Sequence, residues 1–307
     1  MQSEVPSGPL EGVVNGYGHC CWINHLNQFC LVLALVNGRI SLFDGLLMAR
    51  LHHLPSALQQ SLEKRSLLKV ISGLSNFDSA SVEMVAKAAG RGGADLLDIA
   101  CCPDLVQLAI EVSGLPICVS AIDPELFPKA LEAGASMIEI GNFDSFYSRG
   151  RIFSASDVLG LAIQTRKLLP DVVLSVTVPH ALPLDKQAQL ALDLIEAGAD
   201  LIQTEGGTSA SPRSPGTLGL IEKAAPTLAA TSTIFESLSR EESKVPVLCA
   251  SGLSATTVPM AIAVGAAGVG VGSAVNRLSN ELEMIAVVRR LKAAITSSKA
   301  LSSKSFY

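Results

Sequence analysis

From residue 67 onward, short apolar runs alternate with stretches of helical period, and the alternation repeats eight times. The runs at 69–74, 94–100, 116–122, 136–141, 172–178, 200–205, 245–250 and 267–271 have strand-like length and composition. Helical periodicity occupies 79–89, 104–112, 124–132, 154–168, 185–196, 217–239 and 256–264, with a last helix over 281–294. Pro226 predicts a break in the longest of these. Thr256 or Thr257 is placed to cap the helix 256–264, and Gly265 to close it.

Helix, Gly-Ala and strand recur as RGGADLLDIA, EAGASMIEIG, EAGADLIQTE and AVGAAGVGVG. A glycine at that point ends the helix and lets the chain reverse into a parallel strand. Eight alternating units with short connections predict the α/β class and a closed (β/α)8 TIM barrel. The 307 residues hold one barrel of about 250 residues with an irregular N-terminal extension. The expected parts are an extension over 1–66, the barrel over 67–300 and a flexible tail over 301–307.

Parity along the strands then sorts the side chains. Leu97 and Ile99 face the helices, so Asp98 faces the barrel axis. By the same alternation Lys69, Ser120, Glu139, Ser175, Thr177, Gln203, Glu205, Cys249 and Ser251 point inward. Barrel interiors are normally filled by branched apolar side chains, so this polarity needs a cause. Asp98, Glu139 and Glu205 in one space, with Lys69 as counter-charge, would shift at least one carboxyl toward acid/base work. His180, which ends the fifth strand in TVPH, joins them as a candidate catalytic group. Taken singly, Ser120, Ser175 and Thr177 read as hydrogen-bonding spacers and Lys69 as a floor ion pair. The loop GNFDSFYSRGR adds Asn142, Asp144, Tyr147, Arg149 and Arg151, and the polar loop after Gly206-Gly207-Thr208 adds Arg213.

The stretch 245–276 reads as strand, helix and strand, with Ser251-Gly252 and Gly272-Ser273 at the two strand ends. Together with Gly207 these form a candidate phosphate site, because glycine lets backbone N–H groups approach an anion and the last two strand ends of such barrels commonly hold one. Tight turns and close helix packing are the other reading of the same glycines. The spacing of Gly268, Gly270 and Gly272 does not match a dinucleotide fingerprint.

Charge and composition narrow the partners. A net charge of -5 without a basic cluster argues against nucleic acid or an anionic membrane. The apolar run 29–36 is too short to span a bilayer. Seven cysteines without framework spacing suit a reducing compartment. Cys20, Cys21, His25 and Cys30 follow no established zinc spacing, so no metal is expected. Residues 1–66 read either as a targeting segment or as an altered N-terminus.

The segments KVISGLSNFD, ADLLDIACCPDLV, PICVSAIDPELF, MIEIGNFDSFY, LSVTVPHALPLDKQ, ADLIQTEGGTS and PVLCASGLSATTVPMAIAVGAAGVGVGSAVNRL resemble, across residues 66–297, a hypothetical chloroplast open reading frame family of plastid and cyanobacterial proteins with a barrel fold. The resemblance implies chloroplast residence, with the cytoplasm as the alternative. The C-terminal half is also similar to flavin barrels labelled enoyl-acyl carrier protein reductases, and to phosphosugar isomerases and thiazole synthase. Such flavin enzymes commonly carry a histidine after the paired glycines, where this chain has Thr208. The expectation is an enzyme that binds a phosphorylated small molecule, or FMN, at Ser251, Gly252, Gly272 and Ser273. Its chemistry would be that of an isomerase, lyase or synthase, with a flavin-dependent oxidoreductase as the alternative. A barrel that senses a phosphorylated metabolite or docks a partner without chemistry is the second class. Substrate and oligomeric state stay open at this level.

Overall fold

The computed structural model describes residues 50–207 and 210–302, with side chains as far as residue 297. Cys20, Cys21, Trp22, His25 and Cys30, the apolar run 29–36, Thr208 and the residues 303–307 lie outside the described residues. Eight parallel strands close into a barrel in sequence order: β1 Leu67–Gly73, β2 Leu96–Ala100, β3 Ile117–Ala121, β4 Met137–Ile140, β5 Leu174–Thr177, β6 Leu201–Gln203, β7 Val247–Ala250 and β8 Gly268–Val271. A helix follows each strand, and the expected TIM barrel is the fold. Among the described residues no helix is long and apolar enough to cross a membrane.

The outer face of the sheet and the inner faces of the helices make one continuous apolar core. Side chains of the other parity form stacked layers inside the barrel. The lowest layer is apolar: Leu67, Leu96, Cys118, Met137, Leu201 and Leu248 meet Leu54, Leu58 and Leu62. The last three belong to the helix Ser56–Glu63 and its approach. Residues 54–66 therefore close the barrel floor, although periodicity alone had grouped them with the extension. An eight-residue helix carries too few apolar repeats to be read with assurance before its target is known.

The aspartates of the Gly-Ala-Asp repeats brace this same end. Asp95 accepts the Leu68 N–H at 2.7 Å and pairs with Lys292. Asp200 accepts the Leu174 N–H at 2.9 Å and pairs with Arg50 and Arg166. Each repeat thus ties the start of one strand to its neighbour and to a helix. The opposite end of the barrel is left free for the loops that build a site.

Three local expectations are corrected. The helix Gly216–Arg240 runs through Pro226 without a break. Its buried stripe, including Ala224, Thr227, Thr231, Ile234 and Leu238, holds it on the barrel, and Thr227 Oγ1 donates to the Ala250 carbonyl at 2.5 Å. Cys249 faces the helices rather than the axis, with Sγ 3.7 Å from Thr227 Oγ1. The run VPVLCA is apolar at both parities, so only the pairing of Leu248 with Gln203 and Gly268 decides which residues point inward. Thr257 precedes the helix Val258–Ala263 without capping it, since its Oγ1 accepts the Ser254 N–H at 2.9 Å.

Candidate functional site

The polar interior divides into two groups at different heights. The deeper one is centred on Lys69, whose Nζ lies 2.6 Å from Glu139 Oε2 and 3.0 Å from Asp98 Oδ2, with all three side chains at 0% exposure. Ser120 donates to Asp98 Oδ1 at 2.6 Å. Ser175 donates to Glu139 Oε2 at 2.8 Å, and Gln203 Nε2 to Glu139 Oε1 at 2.6 Å. Asn142 covers the group from above, its Nδ2 within 3.2 Å of Glu139 Oε1 and of Ser120 Oγ.

Burial alone would lower the Lys69 pKa, but Asp98 and Glu139 beside it outweigh that and hold the ammonium charged. Burial raises the Glu139 pKa against the pull of Lys69 and the donors around it. A fully buried lysine kept charged is not a nucleophile. Lys69, Asp98 and Glu139 therefore do not share the space of Glu205 and His180 as expected, because parity gave the same face to groups that the barrel sets at different depths.

The second group stands at the barrel mouth. Glu205 follows β6, and 4% of its side chain is exposed. Its Oε1 accepts from the Tyr147 hydroxyl, from the His180 N–H at 3.1 Å and from His180 Nδ1 at 3.1 Å. Its Oε2 accepts the Asp144 N–H at 3.2 Å. Asp144 Oδ2 accepts from Ser251 Oγ at 2.9 Å, while Oδ1 lies 3.5 Å from His180 Nδ1. The Tyr147 and His180 rings meet edge to face at 4.8 Å. A chain of contacts thus runs Ser251, Asp144, His180, Glu205, Tyr147 and joins the ends of β4, β5, β6 and β7.

Burial pushes the Glu205 carboxyl up, opposed by its bonds from His180 and Tyr147. The hydrogen bond to Glu205 raises His180 above 6.5, against its own partial burial. The pair holds a proton over a wider pH range than either group would alone. Burial and the adjacent Glu205 likewise push the Tyr147 hydroxyl up, so it stays a donor.

A pocket of about 300 Å³ opens beside this chain, walled by Asp144, Glu205, Ser251, Gly252, Gly272 and Ser273 among others. Arg277 and Asn142 also line it. Ser251 and Asn142 both take left-handed backbone angles, with φ of 74° and 62°, a strained state for Ser251 in particular. His180 stands behind the wall and reaches the pocket through Glu205 and Asp144.

Gly207 also stands back. A Cβ there would lie 2.2 Å from Gly252 Cα, and one on Gly252 would lie 2.6 Å from Gly207 Cα. These two glycines let the ends of β6 and β7 touch, which is the packing reading of the pair. Gly272 has more room, with the Ile71 carbonyl 3.3 Å from a Cβ position. The first turn of the short helix Ser273–Asn276 begins at that point, and its leading N–H groups have no carbonyl within the helix to meet.

Two cations that sequence reading passed over complete the site. Burial and then the charge of Arg277 lower the Lys223 pKa, so the two cations feel each other. Lys223 Cγ lies 3.3 Å from a Cβ position on Gly252, next to the pocket. Neither cation forms an ion pair among the described residues. No sequence signal marks them, since one stands in the helix Gly216–Arg240 and the other just after the short helix Ser273–Asn276, and neither carries a motif. Arg213 is not among the residues that line the pocket; its backbone N–H donates to Glu222 of the helix Gly216–Arg240 at 2.7 Å.

Donor atoms of Asp144, His180 and Glu205 lie within 4.8 Å of one another, close enough for one divalent cation. Glu205 Oε1 is already filled by three donors, and ligation would require His180 Nδ1 to lose its proton. The set fits a proton chain better than a metal. Between Asp98 and Glu139 the Lys69 ammonium takes the place a cation would need.

The family model described as "Protein of unknown function (DUF561)" matches residues 54–301, starting where Leu54 enters the barrel floor. The chain is 45% identical over 241 residues to "Uncharacterized protein ycf23" of Cyanophora paradoxa, covering 78% of this chain and 97% of that one. With the protein of the same description from Porphyra purpurea the identity is 36%, covering 79% and 89%. Among solved structures, thiamine phosphate pyrophosphorylase from Pyrococcus furiosus superposes with a TM-score of 0.51 at 15% identity, covering 77% of this chain and 98% of that one. A 3-hexulose-6-phosphate synthase gives 0.51 at 17% identity, covering 74% and 99%. At such identities the likeness is one of fold.

Proposed function

The chain belongs to the DUF561 family, described as of unknown function, and from the geometry of its site we propose that it is an enzyme acting by proton transfer on a phosphorylated small molecule. One observation carries this reading. A single pocket has on its walls a nearly buried carboxyl of raised pKa, Glu205, and also Arg277, a cation without an ion-pair partner among the described residues that lies within reach of Lys223. A raised carboxyl is suited to exchange protons near neutral pH, and uncompensated cations beside open N–H groups favour an anion.

In this reading Arg277, Lys223 and the backbone at Gly272-Ser273 hold the phosphate. Glu205 takes or gives the proton, His180 stabilises whichever carboxyl state results, and Tyr147 orients Glu205 through its hydroxyl. Lys69, Asp98 and Glu139 keep the scaffold under the pocket in shape. The reaction class is that of an isomerase or lyase, in which a proton leaves a carbon next to a polarised group.

FMN is not part of the proposal. No aromatic side chain lines the pocket among the described residues, and Thr208 lies at the position that carries histidine in the similar flavin enzymes. The ycf23 relatives and the chloroplast-family resemblance support residence in a plastid, which a fluorescent fusion would test against the cytoplasm.

The test is isotope exchange. Purified protein is incubated in D2O with a panel of phosphorylated carbonyl compounds, and the carbon-bound protons are followed by NMR. Exchange by the wild type and its loss in Glu205→Gln supports the enzyme. Binding of a panel member without exchange in any case favours the sensing barrel instead.

A further inference from the structure

One side chain of the pocket wall is turned against the parity of its strand. Along β4, Ile138 and Ile140 face the helices and Glu139 the axis, so continued alternation would send residue 142 outward with Ile140. Asn142 instead takes a left-handed backbone, with φ of 62°, and its amide folds back over the axis. Gly141 permits the close approach, since a Cβ there would lie 2.2 Å from Thr177 Oγ1. Asparagine is among the few residues other than glycine that visit this conformation. A residue held in it at a strand end, beside a pocket, points to function before packing.

The sealed group below decides which way round that amide sits. Nδ2 lies 3.2 Å from Glu139 Oε1, 3.2 Å from Ser120 Oγ and 3.5 Å from Asp98 Oδ2. The two carboxylates only accept, and Ser120 has given its proton to Asp98 Oδ1 at 2.6 Å. The reverse orientation would set the carbonyl oxygen against two carboxylate oxygens, so Oδ1 points away from the sealed group. Among the described residues no donor meets it. The fully buried side-chain oxygens without a donor are Asp144 Oδ1, Gln187 Oε1 and Gln203 Oε1, which are closed off from a ligand, and Asn142 Oδ1 is not one of them. It is therefore an open acceptor, carried by a half-buried residue of the pocket wall.

We propose that Asn142 is a specificity-determining residue of the pocket: the Lys69 group fixes its amide with the carbonyl oxygen toward the ligand, which must carry a hydrogen-bond donor, a hydroxyl or an amine, beside its phosphate. This rests on the phosphate reading, which anchors the ligand, and names what another part of the wall selects. It also gives the sealed group a second task. Lys69 supplies the charge that keeps two carboxylates side by side, and their oxygens hold Nδ2 away from the pocket. An amide free to turn would offer a ligand either a donor or an acceptor and would select for neither. An amide fixed in this way costs the free protein nothing while water fills the pocket. A bound ligand that displaces the water and offers no proton leaves the oxygen unpaired.

Titration calorimetry decides the point with n-propyl phosphate, glycerol 3-phosphate, 3-aminopropyl phosphate and inorganic phosphate as probes. n-Butyl phosphate and erythritol 4-phosphate repeat the comparison one carbon further from the anchor. The expected result is that one donor-bearing ester binds at least about tenfold more tightly than the alkyl ester of its own length, as sites built to bond a hydroxyl or amine reject analogues that lack it. Whether the polyol esters or the aminopropyl ester gain tells which donor the pocket takes. In Asn142→Gly, whose backbone suits the left-handed angle, that ratio should fall toward one. The wild-type comparison needs no mutant, so misfolding of the variant does not blunt it. Equal affinity for donor-bearing and alkyl esters overturns the inference and leaves the phosphate reading standing. A ratio kept in Asn142→Gly, with all esters weakened alike, overturns it by making Asn142 a structural residue. Failure of every probe to bind, inorganic phosphate included, overturns the phosphate reading and this inference together.

Discussion

The two polar groups of the barrel are built from the same residue types and differ in how completely they are matched. Around Lys69, every carboxylate oxygen of Asp98 and Glu139 has a donor, and the three side chains are fully buried. Around Glu205, two carboxylates compete for one histidine proton, an oxygen of Asp144 goes unpaired, and a pocket lies alongside. Burial with every charged group matched makes a rigid scaffold. Burial with incomplete matching leaves free energy for a ligand or a proton to claim.

Removing one partner in each group should separate them clearly. The largest effect is expected from Lys69→Met, which leaves Asp98 and Glu139 buried without their cation. The stability loss should be about 3–5 kcal/mol, measured by urea denaturation, and a much smaller loss would show that the deeper group is wetter than its packing implies. At the mouth, Arg277→Ala should weaken n-propyl phosphate binding about tenfold while altering stability by less than about 0.5 kcal/mol, because the residue is exposed and forms no ion pair among the described residues. Unchanged binding would remove Arg277 from the phosphate end.

The smallest change is electrostatic. In Glu205→Gln the His180 titration followed by NMR should move down toward 6.5, since the hydrogen bond to Glu205 is the main cause of its raised value. The sign follows from linkage. A raised histidine contributes stability below 6.5 and loses it as pH climbs through its folded value, so wild type and variant should differ more at low pH than at high pH. A constant gap would mean that the two groups do not share a proton.

Much of this was legible in the chain. The eight strand-and-helix units, the Gly-Ala-Asp turns and the inward set Lys69, Asp98, Glu139, Gln203 and Glu205 follow from period and parity, which are local properties of the backbone. The loop residues Asn142, Asp144 and Tyr147 were visible as polar candidates, but not their targets. Cys249 was misplaced because an apolar run such as VPVLCA carries no parity signal. Lys223 and Arg277 could not be paired from sequence, since one comes from a helix after β6 and the other from the turn after β8.

The sequence by itself determined that there would be a barrel, which face each alternating strand would show to its axis, and which end would carry the functional loops. Only the closed tertiary structure decided height along that axis. Strand stagger pairs Asp98 with Cys118 and Glu139 with Ser120 and Ser175, while Glu205 lies beyond the last paired residue of β6. Parity repeats every two residues and says nothing of depth. Three carboxylates of one parity therefore became two in a sealed interior and one at an open mouth.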